Sequence, residues 1–338
     1  MNKAPILAVL AVVMLSVTGC GGEAARSQPS SVTGDSSAPA PSVPKVFGPP
    51  GPERGVFQLS MDSAHPSGEV PFRVVSGSVF DVELGRSTFT EERMAEGCVI
   101  AKIRGPACEP RCEGGTGCSY EGLCKPFGAR VQVGEVTISG LTTESGDERV
   151  SLPSVSGEPY YPEPGVQLAF PACHEGEPLT LSAEGGYYDA FGIDTTCIAP
   201  LDVTLPTPLA VNRAEPLELS WVPPASPMPS RILVVLELTQ DGPPGERLFC
   251  NLPDTGHYTI SAELVTGLMD LGVRGYPYLR LRRAIVAYAA VDGGFISFGS
   301  QSPWVTYLSG PNLISCMDSS ECPIPQTCSQ DLLCVDGP

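Results

Sequence analysis

Thirteen cysteines are the residues of this chain best suited by type and spacing to do chemistry. Thiols ligate metals, attack substrates or pair as disulfides, and their spacing helps decide among these. No C-x-x-C occurs, and His65, His174 and His257 lie far apart in sequence, so zinc clusters and thioredoxin-type redox sites are disfavoured. The serine-esterase G-x-S-x-G, the metalloprotease H-E-x-x-H and the glycine-rich nucleotide loops are missing as well. His174 with Glu175 and Glu177 reads as a polar turn after Cys173 rather than a ligand cluster. Glycosidase chemistry needs two carboxylates held a defined distance apart in a cleft. Glu91-Glu92 and Asp147-Glu148 sit in polar segments and read as surface charge. No D-x-D-x-D-G calcium loop occurs. The residues thus assign no catalytic, cofactor or metal position.

Cys20 decides what the other cysteines do. Lys3 supplies a short basic start, and Ala4 to Val17 is an apolar run ending in small residues, the layout of a secretory leader over residues 1–19. A run of that length is too short to span a bilayer of about 30 Å. The segment Val17-Thr18-Gly19-Cys20 resembles the cleavage motif of bacterial lipoproteins. That resemblance implies cleavage after Gly19 and lipid on the Cys20 sulfur. Several acyl chains, at about 0.8 kcal/mol per buried CH₂, would hold the chain to a membrane. Gly21 rather than Asp after the lipidated cysteine implies the outer membrane or cell surface.

Twelve cysteines remain in a chain addressed to an oxidising compartment, where pairing is the expected state. Cys316, Cys322, Cys328 and Cys334 are each separated from the next by five residues in a polar, turn-forming tail, 312–338, too poor in apolar residues to hold itself by burial. A related set, Cys108, Cys112, Cys118 and Cys124, lies inside the chain as an insertion, 108–124. Four cysteines allow three connectivities. First-to-third and second-to-fourth pairing is expected in each set, because adjacent pairing would leave two unlinked rings. That gives Cys108–Cys118, Cys112–Cys124, Cys316–Cys328 and Cys322–Cys334. Cys173 pairs with Cys197 in this reading, and the partners of Cys98 and Cys250 stay open.

The elements that must position these residues are strands. Residues 20–55 are rich in Ser, Pro, Ala and Gly and are expected to form a flexible tether. From about Val56 short alternating runs appear: Phe72 to Val75, Val79 to Leu84, Val99 to Ile103, Val131 to Ile138, Val166 to Phe170 and Leu179 to Ala183. Alternation marks half-buried antiparallel strands. A second series begins near Pro200 and includes Leu201 to Leu205, Leu217 to Trp221, Arg231 to Thr239, Arg247 to Asn251, Tyr278 to Val291 and Phe295 to Leu308. One helix is expected over 261–271, with Ser261 as N-cap and Gly272 at the C′ position. The expected fold is mainly β: two β-sandwich, immunoglobulin-like domains, 56–198 and 199–311, one short helix and two small disulfide-stapled modules.

The modules resemble four-cysteine repeats of exported lipoproteins of the myxobacterial kind, of the form C-x5-C-P-x4-C-x5-C. Cys322-Pro323 and Gln326-Thr327-Cys328 match it, whereas Cys112 to Cys124 lacks the proline. Cys98 to Ile103, Leu217 to Pro223 and Cys250 to Ile260 are similar to segments of two-domain β-rich lipoproteins of that group, which implies architecture and location but no activity. This chain departs from them in having Phe295 after Gly293-Gly294, where similar chains often carry a cysteine. Asp254-Thr255-Gly256-His257-Tyr258 is similar to the tyrosine corner of immunoglobulin-like domains, although Ile260 stands where that motif has cysteine. It reads as an ordinary turn.

With 20 basic against 38 acidic side chains and a net charge of −18, nucleic acid is not an expected partner, because phosphate binding needs Lys and Arg. The expected partners are the membrane, through the lipid on Cys20, and a protein or carbohydrate; Tyr160, Tyr161, Tyr187, Tyr188, Tyr276 and Tyr278 could line a surface for one, but they read first as half-buried strand tyrosines. The function expected is a non-enzymatic binding or structural module, without cofactors. The competing expectation is a secreted hydrolase or carbohydrate-active enzyme with a loop-assembled site.

Overall fold

This computed structural model describes residues 51–62, 71–83, 88–95, 97–104, 112–114, 116–118, 124–238, 246–273, 276–310, 313–314, 316–330 and 332–336. Cys20, the expected leader and most of the expected tether lie outside them, as do His65 and Cys108. The chain is mainly β. Its first strands are β1 (Glu53–Asp62), β2 (Phe72–Val79), β3 (Thr88–Ala95) and β4 (Cys98–Arg104). The insertion supplies β5 (Thr116–Cys118) and β6 (Cys124–Pro126), followed by β7 (Val136–Ser139), β8 (Arg149–Leu152), β9 (Pro178–Ala183) and β10 (Phe191–Thr196). Then come β11 (Leu209–Ala210), β12 (Leu217–Ser220), β13 (Arg231–Glu237), β14 (Glu246–Pro253), β15 (His257–Ile260) and the helix α1 (Ala262–Asp270). The two longest strands follow, β16 (Tyr278–Val291) and β17 (Gly294–Ser309), and the tail holds β18 (Thr327–Cys328) and β19 (Cys334–Val335).

Nine strands form one open sheet in the order β2-β1-β17-β16-β13-β14-β4-β3, with β11 also paired to β17. β1 and β11 both run parallel to β17 and share one edge of it. β1 covers Phe295 to Gln301 and β11 covers Leu308 and Ser309. Pro303, which has no N–H to donate, falls between them. A second, four-stranded sheet has the order β10-β9-β7-β8, and β12 pairs with β15. Hydrogen bonding therefore crosses the boundary expected near residue 199: β1 joins β17, and β4 joins β14. The reason is that alternation says which face of a strand is buried and nothing about which strand lies beside it.

The large sheet carries two apolar clusters on one face. The first unites Phe57, Leu59, Met61, Val75 and Val79 of β1 and β2 with Ile138, Val150, Leu179, Leu181 and Ile193 of the four-stranded sheet. The second unites Ile100, Ile232, Val234, Leu248 and Leu252 with Leu217, Leu219 and Trp221 and with Leu264, Val265 and Leu268 of α1. The hairpin β16–β17 serves both. Ile285, Ile296 and Phe298 enter the first cluster and Leu279, Leu281 and Leu308 the second. Period-two alternation along a strand keeps all six on one face.

Local chemistry accounts for the ends of α1. Ser261 accepts from Leu264 N, and Gly272, at φ +109°, takes the left-handed conformation that closes the helix. β1 starts at Glu53, inside the stretch expected as tether. Of the run Val79 to Leu84, Val79 ends β2, residues 80–83 are irregular and Leu84 lies outside the described residues; Val166 to Phe170 and Leu201 to Leu205 are mostly irregular, with isolated bridges at Phe80, Leu168 and Val203. Of their apolar residues Leu168 and Leu201 are buried, whereas Val82, Val166 and Phe170 are exposed.

Candidate functional site

The described cysteines form five disulfides. Cys112 joins Cys124, Cys316 joins Cys328 and Cys322 joins Cys334. Cys173 joins Cys197, fastening the turn before β9 to the end of β10. Cys98 joins Cys250, two residues directly opposite each other in the β4–β14 pair with Cα atoms 4.0 Å apart. The pairing of Cys108 with Cys118 lies outside the described residues. The thiolates a metal would need are tied up in bridges, including the cluster of Cys316, Cys322 and Cys334. Five disulfides are the mark of a chain that folds outside the reducing cytosol.

Among the described residues the most deeply buried charged residue is Arg283, on the core-facing side of β16 between the two clusters. Its Nε donates to Asp254 Oδ2 at 2.7 Å and its Nη2 to Asp254 Oδ1 at 3.1 Å, with both side chains only 2% exposed. The remaining N–H groups reach the carbonyls of Val222, Ala199 and Pro200. Asp254 also accepts from Trp221 Nε1 and Ser230 Oγ, at 2.8 and 2.7 Å. The turn Asp254-Thr255-Gly256 is thus an anchor whose carboxylate is fully committed. Two signals for it were present in the sequence. Arg283 interrupts Leu279, Leu281 and Ile285 at a core-facing position, and Asp254 opens a D-x-G-x-Y turn.

Beside this anchor the proline-rich loop from Pro223 to Ser230 borders two adjoining clefts. One, of about 410 Å³, reaches Ser230, Arg231 and Asp254. The other, of about 580 Å³, is lined by Glu175, Glu177 and Thr196. Glu175 is engaged by Ala225 N at 2.9 Å. His174 is exposed and lies in a turn, its carbonyl accepting from Glu177 N. His257 is exposed on β15. Asp147 caps a surface turn, accepting from Ser145 Oγ at 2.7 Å, and the side chains of Glu91 and Glu92 lie outside the described residues. The tyrosine pairs divide. Tyr160 and Tyr188 are buried, the first accepting from Val133 N and the second donating to Phe80 O. Burial holds both phenols above the usual tyrosine range. Tyr161 and Tyr187 are exposed.

The opposite face of the large sheet, turned away from both clusters, carries a different chemistry. Register places Tyr307, Tyr278, Glu237 and Arg247 in one row across β17, β16, β13 and β14. The next row holds Val305, Arg280, Val235 and Phe249, and the one after it Pro303, Arg282, Leu233 and Asn251. The Tyr278 hydroxyl donates to Glu237, which also pairs with Arg247 Nη2 at 2.7 Å. Burial, then the bond to Glu237, push the Tyr278 phenol up to about 12. The Arg280 guanidinium lies 5.4 Å from the Tyr278 ring centre. Arg282 donates to Gln301 at 3.1 Å, and burial and the neighbouring Arg280 lower its pKa. Among the described residues neither Arg280 nor Arg282 has a carboxylate within ion-pair distance. The buried Nε of Arg247 lacks an acceptor among them as well. Tyr276 and Tyr307 meet edge to face at 6.5 Å, and Tyr307 is 62% exposed. Alternation alone puts Arg280 and Arg282 on the face opposite Leu279 and Leu281. It could not place Tyr307 beside them, because that requires the β16–β17 register.

No family model matches this chain, and no curated protein does. Among solved structures it is similar to the chicken CNTN1 FN1-FN3 domains, at 11% identity over 69% of this chain and 71% of that one, with a TM-score of 0.19. A likeness at that score carries no argument about fold or function.

Proposed function

We propose that this chain is a lipid-anchored envelope or surface protein acting as a non-enzymatic binding module. The observation that carries the reading is the division of its polar groups. The charged cluster of Asp254 with Arg283, Trp221 and Ser230 is closed on itself and buried. Groups with bonding capacity left over lie instead on the opposite face of the large sheet, where Arg280 and Arg282 are half-buried and have no carboxylate within ion-pair distance among the described residues. Chemistry needs a nucleophile or acid–base pair within reach of substrate, whereas binding needs a surface of fixed shape. The two clusters are read as two sandwich-like packing units that share the β16–β17 hairpin. Lipid on Cys20, followed by the polar tether, would hold this body at the outer membrane or cell surface, since β1 takes up the chain directly after it.

The test is fractionation of cells expressing the full chain and its Cys20→Ser variant, with metabolic labelling by a fatty-acid analogue. The native chain is expected in the membrane fraction and labelled, the variant soluble and unlabelled. A native chain that is soluble or unlabelled overturns the anchoring.

A further inference from the structure

We propose that the outer face of the nine-stranded sheet, centred on Arg280, Arg282, Tyr278 and Tyr307, binds an anionic polysaccharide. Its carboxylates would meet the two guanidinium groups while a sugar ring stacks on the tyrosines. The inference rests on the reading of this chain as a binding module and names the class of its partner.

Three features select that partner. The first is charge. In a molecule of net charge −18, two arginines stand two residues apart on one strand, same side up, without a carboxylate within ion-pair distance among the described residues. Arg247, in the row beside them, keeps a buried Nε without an acceptor there. Like charges this close repel unless an anion sits between them, and the planar guanidinium fork suits a carboxylate.

The second is the aromatic platform. Tyr276 and Tyr307 are in edge contact, Tyr278 lies opposite Tyr307 across the strand pair, and Arg280 packs on the Tyr278 ring. Such rings offer flat apolar faces with polar tips, matching a sugar ring that is apolar on its C–H face and polar at its rim. An acidic peptide uses the charge and leaves the exposed Tyr307 ring idle. The third is shape. The surface is the broad face of a sheet, not an edge with open backbone groups, so strand addition, the usual route to peptide binding by sheets, is unavailable at these central strands.

The experiment is calorimetric titration of the full, disulfide-intact chain with oligogalacturonate, using its methyl ester as the neutral control. Saturable binding that weakens as salt rises and is absent with the ester is expected. The variant Arg280→Gln/Arg282→Gln should bind about tenfold more weakly or worse. Tyr307→Ala, which removes an exposed ring and leaves every charge in place, should also weaken binding by a few-fold or more. Tyr307→Ala decides the question if the double arginine variant fails to fold. The proposal is overturned if the uronate does not bind, if Tyr307→Ala binds as the native chain does, or if poly-glutamate or single-stranded DNA binds equally well. Failure of binding would leave the membrane fractionation of Cys20→Ser untouched. Shortening of the oligogalacturonate during incubation would instead remove the non-enzymatic reading.

Discussion

Arg283 shows how one side chain can fix the junction of a protein. It draws the Asp254 turn, the Val222 carbonyl and the Ala199–Pro200 segment onto β16. A buried ion pair contributes little net stability compared with an apolar replacement, yet removing one partner strands the other charge. Asp254→Asn should therefore lower unfolding free energy by about 3–5 kcal/mol. Trp221→Phe, which removes one hydrogen bond to the same carboxylate, should cost about 1 kcal/mol. Denaturant melts of the two variants measure both, and a smaller loss for Asp254→Asn than for Trp221→Phe would mean that the pair does not hold the junction. Asp62 behaves in the opposite sense. It lies at the end of β1, where burial raises its carboxyl from 3.8 to about 6 and a bond from Ser60 offsets this in part. The folded state thus holds a proton that the unfolded chain has lost between those values, and stability falls as pH rises through that window. Asp62→Asn should flatten this decline and be more stable than the native chain at pH 7. The gain should be about 1 kcal/mol, below the full value of the shift because the carboxyl keeps access to water. Equal pH profiles for the two proteins would refute the assignment.

Strand pairing at β1 turns on a glycine and an aromatic ring. Gly77 of β2 lies directly opposite Phe57 of β1, and a Cβ added there would come 2.0 Å from the Phe57 ring. The ring fills the space that a side chain would take and continues onto Tyr160, 5.4 Å away. Tyr160 in turn exchanges backbone bonds with Gly77. Gly77→Ala would push Phe57 out of the first cluster, and a loss of about 1–3 kcal/mol is expected from such overpacking. Thermal melting checks it, and an unchanged midpoint would show that the ring relocates freely. Much at this scale was legible in the sequence. The helix was marked by Ser261, its apolar face and Gly272. The strands from Leu217 and Arg247, and the first half of that from Tyr278, were marked by alternation that coincides with burial, while those from Phe72, Arg231 and Phe295 formed where expected but bury near-continuous runs. β1 carried the same signal in Phe57, Leu59 and Met61, masked by the Pro- and Gly-rich text just before it. Val166 to Phe170 and Leu201 to Leu205 gave a false signal, because a loop can bury single apolar residues, here Leu168 and Leu201, without a ladder.

At the scale of the whole molecule, strand order separates what the sequence could tell from what it could not. Alternating apolar runs and cysteine spacing describe a β-rich, disulfide-stapled chain. Nothing in the local pattern says that β1, near the start, lies parallel to β17, near the end, or that Cys98 meets Cys250 across 152 residues. Such long-range pairings are set by how the two clusters close around one hairpin. The consequence can be tested by cutting the chain. A fragment spanning residues 199–338 keeps β13, β14, β16, β17 and α1 but loses β1 and β4. It would expose the β17 edge that β1 covers, the β14 edge that β4 covers, and Ile285, Ile296 and Phe298 of the first cluster. Open strand edges and exposed apolar faces favour aggregation over folding. The fragment is therefore expected to be insoluble or to show the collapsed amide dispersion of an unfolded chain by NMR, while the intact protein unfolds in one cooperative transition in which both clusters melt together. A soluble fragment with a well-dispersed spectrum would mean that the second cluster folds by itself. The shared hairpin would then be a docking surface between two independent domains rather than the common frame of both.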